Sequence, residues 1–182
     1  MPYRISDVQY SEFPAEGAVE SAVEKLGLSF MELIGAFRDY VCPAVPQAGR
    51  GYQMDVADHL ERYLSDRLRR DGLRSTRSRY DLTYSPALNQ HADFGLVHEA
   101  TKKRILFEIE FRPNYEKDLI KFQIGANRGL LALGVMVVAI DRKSINASYT
   151  TMPEYASIAK VIHELAPSYP LLLVGLIGGH SD

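Results

Sequence analysis

Apolar and polar residues alternate without exception over residues 107–112 of the chain. The apolar positions are Phe107, Ile109 and Phe111, and the polar positions are Glu108, Glu110 and Arg112. Because successive side chains of a β-strand point to opposite faces, this alternation predicts a strand with one apolar face and one charged face. Two glutamates on one face of a strand repel each other, so their presence needs a chemical reason.

Other hydrophobic periodicities along the chain predict further helices and strands. Three-to-four spacing predicts helices over residues 18–40, 54–70, 115–131 and 154–165, with Gly27 as a candidate break in the first. Strands are predicted over residues 3–10, 74–86, 91–97, 104–111, 134–140 and 170–178, and loops over 42–52 and 141–153. Helices that flank a mixed sheet give one α/β domain, which we expect to span residues 1–182.

The composition narrows the class of protein. With 46% hydrophobic and 24% charged residues, the chain of 182 residues has the balance of a globular domain. The net charge of −2 means that affinity for a polyanion requires a local basic patch. Cys42 is the only cysteine, which excludes an internal disulfide, and no apolar run has the length of a membrane span. We therefore expect a cytoplasmic protein without a signal peptide or a membrane partner.

The acidic strand forms a predicted hairpin with the strand before it. If the hairpin turns around residues 99–102, then Asp93 lies directly opposite Glu108 on the same face of the sheet. Glu110 follows on that face, about 7 Å further along the strand. Three converging carboxylates need a cation, and ligands that are all oxygen favour Mg²⁺, which suggests hydrolysis of a phosphoester. The alternative is a solvated face whose acids serve only solubility.

An arginine-rich segment leads into this hairpin. Residues 62–79 contain seven arginines and only two acidic residues. A basic stripe beside a metal site suits a protein that binds nucleic acid, because phosphate contacts supply most of the affinity. We expect Arg74, Arg77 and Arg79 to contact phosphates. The alternative is an ordinary solvated face of a helix.

The sequences HADFG at residues 91–95 and LFEIEFRPNY at residues 106–115 resemble a known family. The pattern is an Asp-Phe strand, a short turn and an apolar-Glu-apolar-Glu-Phe strand, and it resembles the PD-(D/E)XK nucleases. Among these nucleases it is most similar to the type II restriction endonucleases of the BglII, BstYI and BamHI group. The resemblance extends over nearly all of the chain, although only the acidic hairpin is specific. It implies a single-domain restriction-endonuclease-like fold, with a central mixed β-sheet flanked by helices, and a Mg²⁺-dependent enzyme that cuts double-stranded DNA.

The resemblance also implies a role for each acidic residue. Asp93 matches the aspartate that bridges the metal, Glu108 matches the second metal-binding carboxylate, and the backbone carbonyl of Ile109 would supply another ligand. Glu110 falls where most of the superfamily has lysine, and it is our candidate to orient or deprotonate the attacking water. Glu61 lies on the helix where some nucleases of the superfamily carry an additional acid.

Members of the group read DNA with residues just after the acidic strand and in the loop after the next strand. Here these positions are Arg112, Asn114 and the segment 141–149. Arginine and asparagine suit bidentate contacts with guanine and adenine. The alternatives are a surface ion pair for Arg112 and a helix cap for Asn114. Within the loop, the side chains that offer donors or acceptors include Arg142, Lys143, Ser144 and Asn146.

The residues and the resemblance together predict a type II restriction endonuclease. It would hydrolyse DNA at a short palindrome, GATC-centred by analogy with the group, and leave 5′-phosphate and 3′-hydroxyl ends. Cutting both strands of a palindrome calls for a two-fold homodimer, and a restriction system includes a cognate DNA methyltransferase. Two alternatives stay open: another PD-(D/E)XK nuclease, acting in repair or on a DNA structure, and a DNA-binding module whose acidic cluster no longer cleaves.

Overall fold

The middle layer of the structure is a mixed β-sheet. The computed structural model describes residues 3–42, 52–85, 87, 90–110, 114–140 and 154–180. Within these ranges the strands are β1 (Tyr3–Phe13), β2 (Val41–Cys42), β3 (Leu73–Thr76), β4 (Thr83–Ser85), β5 (Gln90–His91), β6 (Phe94–His98), β7 (Arg104–Ile109), β8 (Leu131–Ala139) and β9 (Leu171–His180). The sheet has the order β2-β1-β9-β8-β7-β6-β3, while β4 and β5 pair separately.

Parallel strands form the centre of this sheet. β8 is parallel to both β7 and β9, whereas the pairs β1–β9, β6–β7 and β3–β6 are antiparallel. The strands predicted over residues 134–140 and 170–178 are confirmed, and their nearly continuous apolar sequence is typical of strands covered on both faces. β8 begins at Leu131, where a helix end was expected, because Gly129 with φ +68° ends the preceding helix.

Helices cover both faces of the sheet and create two apolar cores. They are α1 (Ala18–Glu24), α2 (Phe30–Arg38), α3 (Tyr52–Arg67), α4 (Arg79–Leu82), α5 (Tyr115–Asn127) and α6 (Tyr155–Leu165). α1, α2 and α3 pack against the face that contains Phe107, and α5 and α6 pack against the face that contains Leu106. The predicted α/β class is therefore confirmed. None of the helices in the described ranges has both the length and the apolarity needed to cross a membrane.

Two predicted elements differ from the structure in their details. The helix predicted over residues 18–40 is divided into α1 and α2 around Gly27, whose φ of +73° favours glycine. The strand predicted over residues 74–86 is wrong in its middle, where α4 lies. Thr76 Oγ1 donates to Asp81 at 3.0 Å and accepts from Ser78 N at 3.0 Å, and such local bonds compete with a strand ladder. Of the loop predicted over residues 42–52, Cys42 belongs to β2 and Tyr52 to α3, while residues 43–51 lie outside the described residues, as does the whole loop predicted over 141–153.

A capping box begins α2. Ser29 Oγ accepts from the Glu32 N–H at 3.1 Å, and Glu32 Oε2 accepts from the Ser29 N–H at 2.9 Å. Arg70 also forms an ion pair with Glu32 at 3.2 Å. The hydrogen bond from the Ser29 backbone, followed by that from Arg70, lowers the pKa of Glu32 from 4.5 to about 2. The ionised carboxylate therefore stabilises the folded protein.

Glu32→Gln is expected to lower the free energy of unfolding at neutral pH by about 1 kcal/mol or less, because the side chain is half-exposed and its ion pair is screened by water. The pKa of Glu32 is lowered on folding, so this contribution is present above pH 4.5 and is lost as the pH falls towards about 2. Urea unfolding of wild type and variant at several pH values measures it. The exposed Glu24→Gln serves as control, and a difference that persists unchanged below pH 3 would contradict the assignment.

Candidate active site

The hairpin of β6 and β7 brings two acidic residues face to face. Phe94 pairs with Phe107, and the pairing keeps that register to the end of the hairpin, as the sequence predicted. The backbone N–H of Asp93 continues the ladder by donating to the Phe107 carbonyl at 3.2 Å. The two phenylalanine rings stack with their centroids 4.3 Å apart. Asp93 is thereby held opposite Glu108.

Each of these carboxylates has one oxygen bound by the protein. Asp93 Oδ2 accepts from the Ile109 N–H at 2.7 Å. Glu108 Oε1 accepts from the Tyr84 hydroxyl at 3.0 Å and from Lys121 Nζ at 3.1 Å. In the described part of the chain, neither Asp93 Oδ1 nor Glu108 Oε2 has a hydrogen-bond partner. Two carboxylate oxygens therefore remain available to a ligand.

The face of β7 that carries Glu108 is covered by protein. Glu108 is only 4% exposed, because Tyr84 and residues of α5 surround its side chain. The interpretation of this face as a solvated surface, with acids for solubility alone, is therefore wrong for Glu108. Burying a carboxylate is costly unless it is paired or hydrogen-bonded, and here both kinds of partner are present.

α5 contributes two residues that the sequence analysis missed. Lys121 Nζ lies 3.1 Å from Glu108 Oε1 and 2.7 Å from Asp118 Oδ1. α5 approaches the sheet closely because Gly134 on β8 has no side chain; a Cβ atom there would lie 2.9 Å from the ring of Phe122. The available signal was an acid and a lysine at spacing i, i+3, but that spacing is common on exposed helices. Only the tertiary packing makes this pair buried.

Burial and mutual repulsion shift the protonation of this cluster. Desolvation, followed by repulsion from Asp93 and Asp118, raises the pKa of Glu108 well above its usual value. Desolvation also raises the pKa of Asp118. Asp93 keeps an exposed side, yet the protein around its carboxylate removes enough water to raise its pKa. Burial alone would lower the pKa of Lys121, but attraction to Glu108 and Asp118 outweighs it and raises that pKa.

The pair Asp93 and Glu108 suits a hard divalent cation. Both offer a carboxylate oxygen without a protein partner in the described residues, and a cation would relieve the repulsion between them. No group of three or more acidic, histidine or cysteine side chains within the described ranges has metal-ligand spacing, so the predicted convergence of three carboxylates is not seen there. Glu110 is half-buried just after β7, where its N–H donates to the Val137 carbonyl at 2.9 Å.

The sequence model of the restriction endonuclease family BglII/BglIII matches residues 15–176 of the chain. The chain belongs to this family. This confirms the resemblance and the restriction-endonuclease-like fold, and it makes the protein a type II site-specific deoxyribonuclease that acts on DNA. Endonucleases of this kind generally use divalent metal ions. No individual curated protein matches the chain.

In this endonuclease, Glu61 is engaged in an ion pair beside the acidic hairpin. Glu61 on α3 is 6% exposed, and its carboxylate pairs with Arg77, which also contacts Asp58. Desolvation raises the pKa of Glu61, and Arg77 opposes that shift. Arg77 also interacts electrostatically with Asp93. Glu61 therefore acts in the described structure as the ion-pair partner of Arg77, whose charge also attracts Asp93.

Several arginines of the basic segment are paired within the molecule. The further ion pairs are Arg67–Asp39 (3.0 Å), Arg69–Asp66 (3.8 Å), Arg70–Glu32 (3.2 Å) and Arg74–Asp81 (3.0 Å). Arg79 is exposed and has no carboxylate partner among the described residues. The segment therefore has fewer unpaired arginines than its sequence indicated. Of the three arginines expected to contact phosphates, Arg79 is the one without an ion pair among the described residues.

Neutralising Arg74, Arg77 and Arg79 together is expected to weaken binding to all DNA sequences alike. The slope of log affinity against log salt should decrease by about 0.9 for each phosphate that the protein no longer neutralises. Arg79→Gln alone should produce the decrease expected for one phosphate, because no internal ion pair is broken. Fluorescence anisotropy at several salt concentrations measures the slope, with Arg69→Gln as control. An unchanged slope in the triple variant would show that these arginines do not touch the phosphates.

The residues expected to contact bases are only partly described. Asn114 stands at the N-cap position of α5 and is exposed, but its side chain makes no capping hydrogen bond. The capping interpretation of Asn114 is therefore not supported by its geometry. Arg112 and the loop side chains lie outside the described residues, and these are Arg142, Lys143, Ser144 and Asn146.

Proposed function

We propose that this endonuclease hydrolyses phosphodiester bonds of a short palindromic DNA site with Mg²⁺ held by Asp93 and Glu108. The observation that supports this most is the pairing of the two carboxylates across the β6–β7 hairpin, each with one oxygen unbonded in the described structure. Magnesium takes few protein carboxylates and completes its coordination with water and substrate phosphate, so a site with two acids suits it.

The mechanism that we propose assigns one task to each residue. Asp93 and Glu108 hold the ion, and the carbonyl of Ile109 serves as a further ligand. Bound Mg²⁺ supplies charge neutralisation at the phosphate and a more acidic water. Glu110 orients the attacking water and accepts its proton. The water oxygen then bonds to phosphorus in line with the 3′ oxygen, whose bond to phosphorus breaks. The 3′ oxygen takes a proton from solvent water, which leaves a 5′-phosphate and a 3′-hydroxyl.

Sequence recognition in this proposal comes from the segments that follow β7 and β8. Asn114, exposed at the start of α5 with no capping hydrogen bond, has donors and an acceptor for an adenine edge. Arg112 and the loop residues Arg142, Lys143, Ser144 and Asn146 are assigned by the resemblance of their positions. Arg74, Arg77 and Arg79 contact phosphates without reading sequence. A GATC core is the expected centre of the site, by analogy with the group alone.

A homodimer is part of the proposal, because cutting both strands of a palindrome needs two active sites related by a two-fold axis. A cavity of about 370 Å³ between α5 and α6 marks the surface that we assign to the second copy. Ile120 and Leu165 are each 61% exposed and line this same cavity, so they form one apolar surface. α5 thus offers its outer face to the partner while its inner face carries Lys121 to the active site.

The cellular setting follows from the proposed reaction. An enzyme that cuts a short palindrome also cuts its host's DNA, so a cognate DNA methyltransferase that protects the same site is the expected second component. The single Cys42 suits the reducing cytoplasm, where that DNA is found.

The test is incubation of the protein with unmethylated plasmid, with and without Mg²⁺, followed by sequencing of the cut ends. Discrete fragments that share a palindrome support the proposal. A smear, or cutting at a DNA structure, would favour another nuclease of the superfamily, and intact DNA that is nevertheless bound would favour a non-cleaving module. A site without two-fold symmetry would exclude the dimer, whereas a palindrome without GATC would exclude only the core.

Substitution of the reading residues refines this test. Arg112→Ala or Asn146→Ala is expected to relax preference at one symmetric pair of base pairs, by roughly 1–3 kcal/mol of discrimination for each bidentate contact. Nonspecific affinity should change much less. Cleavage of a library of randomised sites reports both effects.

A further inference from the structure

We propose that Lys121, anchored by Asp118, is a built-in counter-cation that sets the charge of the acidic cluster to match one divalent ion. This rests on the metal-binding role proposed above for Asp93 and Glu108. It goes further, because it assigns residues of α5 to the control of ion charge and ion number. Lys121 acts on the ion through the field of its ammonium group and is a positioning residue.

The contacts of Lys121 show how firmly that charge is held in place. Its ammonium group bridges Glu108 Oε1 at 3.1 Å and Asp118 Oδ1 at 2.7 Å. The side chain of Lys121 is 15% exposed, while those of Glu108 and Asp118 are 5% and 6% exposed. Charges that are shielded from water in this way interact far more strongly than surface ion pairs.

The net charge of the acidic cluster equals the charge of one divalent ion with the opposite sign. The cluster consists of the carboxylates of Asp93, Glu108 and Asp118 and the ammonium of Lys121. Asp118 repels both of the other carboxylates, and Lys121 attracts both. In the metal-bound state, with these four groups ionised, the cluster carries a formal charge of −2, which one divalent cation neutralises. Glu110, which the proposed mechanism assigns to the attacking water, is counted outside this cluster. Without Lys121 the charge would be −3, and bound metal would leave an excess negative charge facing the DNA phosphate.

The arrangement also explains why a buried aspartate lies on α5. Asp118 is turned towards Lys121 at 2.7 Å and, among the described residues, joins no metal-binding group of three side chains. A lysine this close to a metal site would be pushed away by the incoming ion unless another carboxylate retained it. Asp118 supplies that attraction. The hydroxyl of Tyr84 on β4 also donates a hydrogen bond to Glu108 Oε1 at 3.0 Å and adds no charge.

The experiment is a charge cycle at these two positions. Lys121→Met leaves a formal charge of −3, Asp118→Asn leaves −1, and the double variant Lys121→Met/Asp118→Asn restores −2. Mg²⁺ and Tb³⁺ are titrated separately into the metal-free full-length proteins, without DNA, by isothermal titration calorimetry. Their affinity ratio isolates the charge preference of the site, because contributions common to both ions cancel. The other charged residues nearby are the same in every variant and do not affect the comparison; these are Glu110, Arg77, Asp58 and Glu61.

The ratio of Tb³⁺ to Mg²⁺ affinity is expected to rise in Lys121→Met by about 10- to 100-fold, the order produced by one unit charge a few ångströms from the ion. It should fall in Asp118→Asn by a similar factor and return close to wild type in the double variant. Lys121→Arg, which keeps the charge, should also resemble wild type. Wild-type protein should bind one Mg²⁺ per chain.

A purely structural role for the pair predicts a different pattern. Each substitution would then weaken both ions alike, and the double variant would be the weakest of all. That pattern, an unchanged ratio in Lys121→Met, or no ion binding by the wild-type protein would overturn the proposal. Thermal unfolding of each metal-free variant identifies any loss of fold, in which case Lys121→Gln replaces Lys121→Met. If ion preference follows charge but plasmid stays intact, only the proposed cleavage fails; if plasmid is cut but the ratio does not follow charge, only this inference fails.

Discussion

Glu108→Gln and Asp93→Asn are each expected to lower the rate of Mg²⁺-dependent DNA cleavage by about 1,000-fold or more, equivalent to about 4 kcal/mol of transition-state stabilisation. The amides keep the size of the side chains and can still accept the hydrogen bonds from Ile109, Tyr84 and Lys121. What they remove is the negative charge that holds the ion. The folded structure should therefore survive while catalysis is lost.

Three measurements test this expectation. Single-turnover cleavage gives the rate, calorimetry gives the affinity for Mg²⁺, and thermal unfolding verifies that the fold is intact. DNA affinity measured without metal should stay the same or become tighter, because less negative charge then faces the phosphates. Glu99→Gln is the matched control, since Glu99 is exposed at the far end of the same hairpin. A near wild-type rate in either amide variant would show that the metal site lies elsewhere.

Ile120→Asp is expected to dissociate the proposed homodimer and to abolish cutting of both strands. The substitution places a charge in an apolar contact, where an uncompensated buried charge costs about 3–5 kcal/mol, so the dissociation constant should rise by about 100-fold or more. Leu165→Asp on α6 should act in the same way, because both residues line one groove. Sedimentation equilibrium measures the assembly, and plasmid cleavage measures the activity.

The matched control for these variants is Met31→Asp. Met31 lies on α2 and is 64% exposed, close to the 61% of Ile120, but α2 packs on the opposite face of the sheet. It should leave both assembly and cleavage unchanged. The proposed interface would be wrong if Ile120→Asp stayed dimeric, and the dependence of activity on assembly would be wrong if the monomeric variant still cut both strands.

The acidic hairpin could be predicted from the sequence because strand alternation is a local signal. Once Phe107 and Glu108 are known to point to opposite faces, a short turn fixes which residue of the preceding strand lies opposite each of them. The observed pair of Phe94 with Phe107 follows from that rule. The division of the first helix at Gly27 was also visible, since glycine at positive φ is a common helix end.

The environment of Glu108 could not be predicted in this way. Alternation indicates that a strand has a polar face, but it does not indicate what packs on that face. The buried state of Glu108 depends on Tyr84 and on α5, which are separated from it along the chain and meet it only after folding. Lys121 and Asp118 were overlooked for the same reason, because an acid and a lysine on a helix usually face water. The middle of residues 74–86 was misassigned because side-chain hydrogen bonds of Thr76 and Asp81 outweighed a weak strand pattern.

One side of α5 faces the active site and the opposite side faces the proposed partner subunit. This limits the insertions and deletions that α5 can accept. Asp118 and Lys121 face the sheet, while Ile120 between them is exposed on the other side. Each residue of an α-helix is rotated by about 100° from the one before it. A one-residue insertion between Asn114 and Asp118 that shifted the rest of the helix would therefore bring the acid and the lysine to the buried places of Leu119 and Phe122. It would also carry Ile120 inwards to the place of Lys121. Relatives of this chain should accept point substitutions along α5 far more readily than insertions or deletions within its first turn.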